Sequence, residues 1–284
     1  SFRIIKMFLN RKILIATQHG KEHVIQPLLE EELGFKCFVN QSFDTDTLGT
    51  FSGEIEREDD ALQTLRKKCT IAMKENNFKV VIASEGSFGA HPSLFFAPAN
   101  DELVMFLDKE NDLEVIARTL SIETNYNSEE IKLETELLDF ARASLFPSHA
   151  LILQSSLKNA EFLFKGITNE KDLLDSFNKI KEKYSTVFVS TDMRAMFNPT
   201  RMKIIKETTE KLILKLNSFC PSCDFPGFDV VEVVSGLRCS QCNLPTKSTL
   251  SHLLICKKCA FTKTKMYPYS KAFEYPTYCN YCNP

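Results

Sequence analysis

A chain of 284 residues with 43% apolar content has room for one large or two smaller globular domains and for a sizeable core. Its net charge of -2 excludes a general attraction to nucleic acid or an anionic membrane, so any such contact must be local. No apolar run approaches the ~18–20 residues needed to cross a bilayer, and Ile13-Leu14-Ile15 is too short for a signal-peptide core, so a cytoplasmic protein with no membrane partner is expected.

Residues 12–17 read as a first strand and Gln18-His19-Gly20-Lys21 as the turn into a helix. Val24, Ile25, Leu28, Leu29 and Leu33 give that helix an apolar face, Gly34 stops it, and residues 35–39 form a second strand. Strand, helix, strand in this order gives a parallel pair through a right-handed crossover. Residues 44–57 carry two glycines and several carboxylates without periodicity, as a functional loop does. A helix over about 60–73 turns Leu65, Cys69 and Ala72 inward and Arg66, Lys67 and Lys68 partly outward. The strand Val80-Val81-Ile82-Ala83 then runs into Ser84-Glu85-Gly86-Ser87, read as a polar loop that delivers a carboxylate to the open end of the sheet.

Residues 103–108 and 113–118 form a hairpin about a turn-rich connection. Helical pattern returns at 134–144, strands at 150–154 and 161–164, a helix near 170–183 and a strand at 186–190. The last helix runs from Pro199 to about Asn217 with Asn198 as its cap. The alternation implies an α/β domain over residues 1–217 with a mixed, largely parallel sheet and flanking helices.

Residues 218–284 form a second module. Eight of the ten cysteines fall there in four Cys-x-x-Cys pairs, Cys220/Cys223, Cys239/Cys242, Cys256/Cys259 and Cys279/Cys282. This is the pattern of two structural zinc sites in a reducing compartment, a zinc ribbon in which four thiolates leave no open coordination position. The simplest pairing is sequential, Cys220, Cys223, Cys239 and Cys242 on one ion and the other four on the second; an interleaved pairing is the alternative. The module has seven Lys or Arg against four acids, and Lys257, Lys258, Lys263 and Lys265 stand near Tyr267, Tyr269, Phe273 and Tyr275. Charge mixed with rings suits a single-stranded nucleic acid.

In the first domain, Thr17 and Lys21 at a helix N-terminus favour an anion such as phosphate. Ala-Thr-x-x-Gly-Lys after the first strand, Gly49-Thr50-Phe51-Ser52-Gly53-Glu54 before a helix, and a strand ending in Ser84-Glu85-Gly86 together resemble the inosine triphosphate pyrophosphatase-like superfamily. The resemblance implies Mg²⁺-dependent hydrolysis of a nucleotide or related phosphorylated metabolite. Glu85, Glu54 and Glu56 would then hold the metal, and Thr17, Lys21, Ser84 and Ser87 would meet phosphate. Arg194 and Arg201, each near a strand end or helix start, could clamp a second phosphate, or an ion pair with Asp192 could simply fix the loop. His91 and His149 are loop histidines with acid–base potential. Residues 84–92, Thr191-Asp192-Met193-Arg194, Asn198-Pro199-Thr200-Arg201-Met202 and the closing Cys-x-Tyr-Cys-Asn-Pro also resemble a bacterial family, a domain of unknown function joining an α/β domain to a zinc ribbon. The competing class is a non-enzymatic nucleic-acid or protein-binding module with structural zinc.

Overall fold

The computed structural model describes residues 7–39 and 60–284. The chain divides into two compact units, 1–213 and 214–284. In the first, β1 (Lys12–Ala16), α1 (Glu22–Leu33) and β2 (Lys36–Val39) make the expected crossover, with β1 and β2 parallel. Gly34 ends α1 at φ 72°, and its N–H donates to the Glu30 carbonyl at 3.1 Å, a left-handed cap that glycine adopts without a Cβ penalty. α2 (Ala61–Asn76) begins on Asp60, whose carboxylate accepts the Gln63 N–H at 2.8 Å.

β3 (Val80–Ala90) lies parallel to β1, whereas β4 (Pro98–Asp108) and β5 (Leu113–Ser121) continue the sheet antiparallel, in the order β2-β1-β3-β4-β5. α2 covers one face, where Leu65, Cys69, Ala72 and Met73 pack on Leu14, Ala16, Val81, Ala83, Leu103 and Met105. The mixed α/β class is as expected, but the sheet is only partly parallel.

A second sheet follows, from β6 (Ser128–Ile131), α3 (Glu134–Ala143), β7 (Leu151–Gln154), β8 (Leu163–Ile167), α4 (Glu170–Lys181) and β9 (Val187–Thr191). Its order is β6-β9-β7-β8 and all its pairings are antiparallel. Leu137 and Phe140 of α3 and Leu173, Phe177 and Ile180 of α4 close its core against Leu151, Leu153, Val187 and Val189. β6 escapes a sequence reading because Ser-Glu-Glu-Ile has no apolar alternation. α5 (Pro199–Leu216) comes next, opened by Asn198, whose Oδ1 accepts the Arg201 N–H at 2.9 Å.

The principal departure from expectation is the stretch 84–90. It is not a loop: β3 pairs with β4 residue by residue from Val80 opposite Asp108 to Ala90 opposite Pro98. Small polar residues and glycines suggested a turn because they lack side chains that favour strands; here the ladder satisfies the backbone and the space beneath requires glycine.

The second unit is an antiparallel meander of β10 (Asp229–Ser235), β11 (Thr249–Ile255) and β12 (Thr262–Met266). Among the described residues, no helix is long and apolar enough to cross a membrane.

His149 is buried at the start of α5, where its Nε2 lies 2.9 Å from Thr200 Oγ1 and 3.4 Å from the Thr200 nitrogen. Burial pushes its pKa below the ordinary 6.5. The unfolded imidazole therefore binds its proton first as pH falls, and stability is lost below about pH 6.5. Urea unfolding between pH 7.5 and 5 is expected to show the wild type losing up to about 1.4 kcal/mol per pH unit more than His149→Gln; parallel slopes would remove His149 as the cause.

Candidate functional site

The eight cysteines converge in two groups, Cys220, Cys223, Cys256, Cys259 and Cys239, Cys242, Cys279, Cys282, with the four sulfurs of each within 4.8 Å of one another. Sγ atoms of Cys220 and Cys259 are 3.6 Å apart, those of Cys223 and Cys256 3.6 Å, Cys239 and Cys282 3.8 Å, and Cys242 and Cys279 3.6 Å. Four sulfurs about 2.3 Å from a tetrahedral metal stand about 3.8 Å from each other. The donor set and spacing fit one metal ion per group, the arrangement of a zinc ribbon.

The sequential pairing is corrected to the interleaved one, and strand register is the reason. Asp229 of β10 lies opposite Ile255 of β11, so the Cys220–Cys223 knuckle before β10 meets Cys256–Cys259 just after β11. Ser235 lies opposite Thr249 at the other end, where the chain makes the Cys239–Cys242 knuckle. β12 runs back along β11, and the Ser240 N–H donates to the Glu274 carbonyl at 2.9 Å, which draws Cys279–Cys282 to that same end. All four knuckles share one turn. The carbonyls of Cys220, Cys239, Cys256 and Cys279 accept N–H groups from Asp224, Asn243, Ala260 and Asn283, four residues on, at 2.8 to 3.0 Å.

The first unit holds a buried polar cluster at the C-terminal end of β1 and the middle of β3. The β1–β3 register pairs Ala16 with Ala83, and one more step sets Thr17 beside Ser84. Ser84 accepts a hydrogen bond from the Lys21 ammonium at 3.0 Å, while Thr17 Oγ1 is buried without a hydrogen-bond partner among the described residues. Burial, then the positive charge of Arg201, pushes the Lys21 pKa down from 10.5 to about 7; the nearby carboxylates, Glu102 foremost, pull the other way.

Arg201 is 1% exposed. It contacts Glu102 through Nε at 3.2 Å and Nη2 at 3.4 Å, donates from Nη1 to the Met193 carbonyl at 2.6 Å, and lies 5.3 Å from the Phe88 ring centre. Gly86, opposite Glu102 in the ladder, leaves room for this pair: a Cβ there would stand 2.5 Å from Glu102 Oε2 and 2.6 Å from Arg201 Nη2.

Strand alternation separates residues expected in one pocket. Ser84 and Gly86 face Lys21 and Arg201, but Glu85 and Ser87 point to the α2 side, where Glu85 is ion-paired with buried Lys68. Lys68, expected partly outward, is therefore an interior residue. Arg194 and Arg201 do not form a clamp: Arg194 is bound to Asp192 at 2.6 Å and lies over Phe197, while Arg201 serves Glu102. His91 instead accepts the Ser93 and Leu94 N–H groups, each at 3.1 Å, in the β3–β4 turn. Glu54 and Glu56 lie outside the described residues. Sequence reasoning missed Lys68 and Glu102, whose roles depend on which face of α2 and β4 they occupy.

Residues 68–284 match the family model described as Domain of unknown function (DUF6671). The chain belongs to the DUF6671 family. The span that defines this DUF6671 member takes in all four knuckles and Lys68, Glu85, Glu102 and Arg201, and excludes the β1–α1 turn with Thr17 and Lys21. No curated protein matches the sequence. Among solved structures, the crystal structure of protein VC0702 from Vibrio cholerae is similar at 8% identity, covering 72% of this chain and 94% of that one, with a TM-score of 0.35, too low to carry an argument. These comparisons do not confirm the pyrophosphatase-like resemblance.

Two outcomes follow for the DUF6671 chain. A Cys223→Ser, Cys259→Ser double variant is expected to bind one Co²⁺ with full tetrathiolate absorption; no intact tetrathiolate centre would restore sequential pairing. Gly86→Ala is expected to cost about 1–3 kcal/mol in urea unfolding, because the new methyl crowds the buried Arg201–Glu102 pair; a change below about 0.5 kcal/mol would show that the pair relocates freely.

Proposed function

We propose that the first unit binds a phosphorylated small molecule at the junction of β1, α1 and β3, and that the second is a structural module holding two zinc ions. One observation carries the first reading: Lys21 and the Thr17 hydroxyl, which has no hydrogen-bond partner among the described residues, are buried together beside Ser84 at the start of α1. An ammonium, two hydroxyls and a helix N-terminus all favour oxyanion oxygens.

Mg²⁺ does not fit Glu85. That carboxylate is engaged by Lys68 and lies on the sheet face away from Ser84, so no metal-dependent step is derived from it. Nucleotide hydrolysis rests on Glu54 and Glu56 and on the resemblance stated above, and it is the reaction to assay first.

Zinc suits the tail because all-thiolate tetrahedral sites are its usual structural setting, and eight cysteines spaced as metal ligands suit a reducing compartment such as the cytoplasm. Each four-thiolate zinc centre carries a formal charge of about -2. The +3 excess of residues 218–284 counts the thiols as neutral, so two such centres bring the tail to about -1. Single-strand binding therefore rests on the exposed rings of Tyr269, Phe273, Tyr275, Tyr278 and Tyr281 more than on net charge. It is the second reading.

Calorimetry with inorganic phosphate and a panel of nucleoside mono- and triphosphates, with and without Mg²⁺, tests the first. A phosphate ester is expected to bind, with Lys21→Ala weakening it roughly 10- to 150-fold, the value of a charged hydrogen bond. Equal affinity in wild type and variant would discard the site. Phosphate or pyrophosphate release that requires Mg²⁺ would establish hydrolysis, and tight, salt-sensitive binding to single strands without any phosphate-ester binding would favour the tail reading.

A further inference from the structure

We infer that the Lys21 site takes up one proton from solvent when it takes up an anion, so that its occupancy is set by pH as well as by ligand concentration. The inference rests on the phosphoryl-binding reading above and adds the charge state in which the site is empty.

The charge count of the buried cluster carries it. Among the described residues, the charged groups that act most on Lys21 are Lys68 from α2, Glu85 from β3, Glu102 from β4 and Arg201 from α5. Three cations of the described chain thus share the region with two carboxylates. Both carboxylates are engaged, Glu85 by Lys68 and Glu102 by Arg201, and Asp192 in the segment before α5 is engaged by Arg194. Among the described residues no carboxylate lies within ion-pair distance of Lys21, whose hydrogen-bond partner is the neutral Ser84 hydroxyl. A charged Lys21 in the empty site would be a buried cation with no ion-pair partner of its own among the described residues, an arrangement that proteins relieve by deprotonation.

Ser84 suits both states. Its hydroxyl accepts from an ammonium and donates to a neutral amine, so the contact survives loss of the proton. Thr17 also serves both: its hydroxyl is buried without a partner among the described residues and can donate to an entering oxygen. An oxyanion here supplies the missing negative charge, the amine takes a proton from water, and the occupied site is a Lys21 ammonium against the anion. The depressed pKa of about 7 places this exchange in the physiological range. By linkage, affinity is level below about pH 7 and falls about tenfold per pH unit above it.

Sulfate is the probe of choice because its own charge is constant across this range, so any proton taken up belongs to the protein. Calorimetric titration of the full chain with sulfate, in buffers of different ionisation enthalpy, is expected to show nearly one proton taken up per sulfate at pH 8 and nearly none at pH 6. Sulfate affinity should drop about fivefold from pH 7 to pH 8 and about tenfold more from pH 8 to pH 9. Lys21→Met should abolish the proton uptake and weaken binding at pH 6. Binding with pH-independent affinity and no proton uptake would overturn the coupling and leave the anion site standing. Proton uptake that persists in Lys21→Met would assign it to another group and equally overturn the inference. No sulfate or phosphate-ester binding at pH 6 would overturn the phosphoryl reading itself. Should Lys21→Met fail to fold, side-chain NMR of lysine-labelled wild type decides: at pH 8 the Lys21 ζ signal must move from the amine to the ammonium position on adding sulfate, and an unmoved signal refutes the coupling.

Discussion

The contact on which the first unit depends is the buried pair of Arg201 with Glu102. It joins α5 to β4, and through the Met193 carbonyl it ties in the segment that leaves β9 of the second sheet. Two sheets with separate cores are thereby fastened at one point. A buried ion pair contributes little net stability relative to apolar packing, but removing one partner leaves a charge stranded at a cost of about 3–5 kcal/mol. The surrounding chain is shaped to avoid that. Gly86 has no Cβ to collide with the pair, Phe88 presents its ring to the guanidinium, and Asn198 caps the helix that carries Arg201.

Lys21 differs from the other buried cations. Lys68 and Arg201 each have a carboxylate, whereas Lys21 has a hydroxyl. The same desolvation that makes an unpaired ammonium expensive would favour an anion at this position, which is why the proposed site centres on Lys21. Glu85, by contrast, is ion-paired with Lys68 on the α2 side of the sheet.

In the second unit the β10–β11 hairpin acts as a ruler. Its two ends are separated by the length of a strand, too far for knuckles at opposite ends to share an ion, so the antiparallel register assigns the ligands. Lys257 and Lys258 lie inside the third knuckle, where their charge would offset that of a four-thiolate metal centre.

Much of the fold was legible because it is local. The 3.6-residue stripe of α1, its Gly34 stop, the Asn198-Pro199 start of α5 and the hairpin of β4 with β5 each follow from a few neighbouring residues. The identity of the eight metal-binding cysteines was equally plain, since a Cys-x-x-Cys bite is a short-range property. The sequence by itself therefore determined the element types, the two-part organisation in outline and the residues capable of holding metal. Tertiary structure alone decided which knuckles pair, that Ser84–Ala90 is strand and not loop, and that Ser84 and Glu85 serve opposite faces. Each of these depends on register between segments distant in sequence, and a strand's alternation turns one residue's displacement into a change of face.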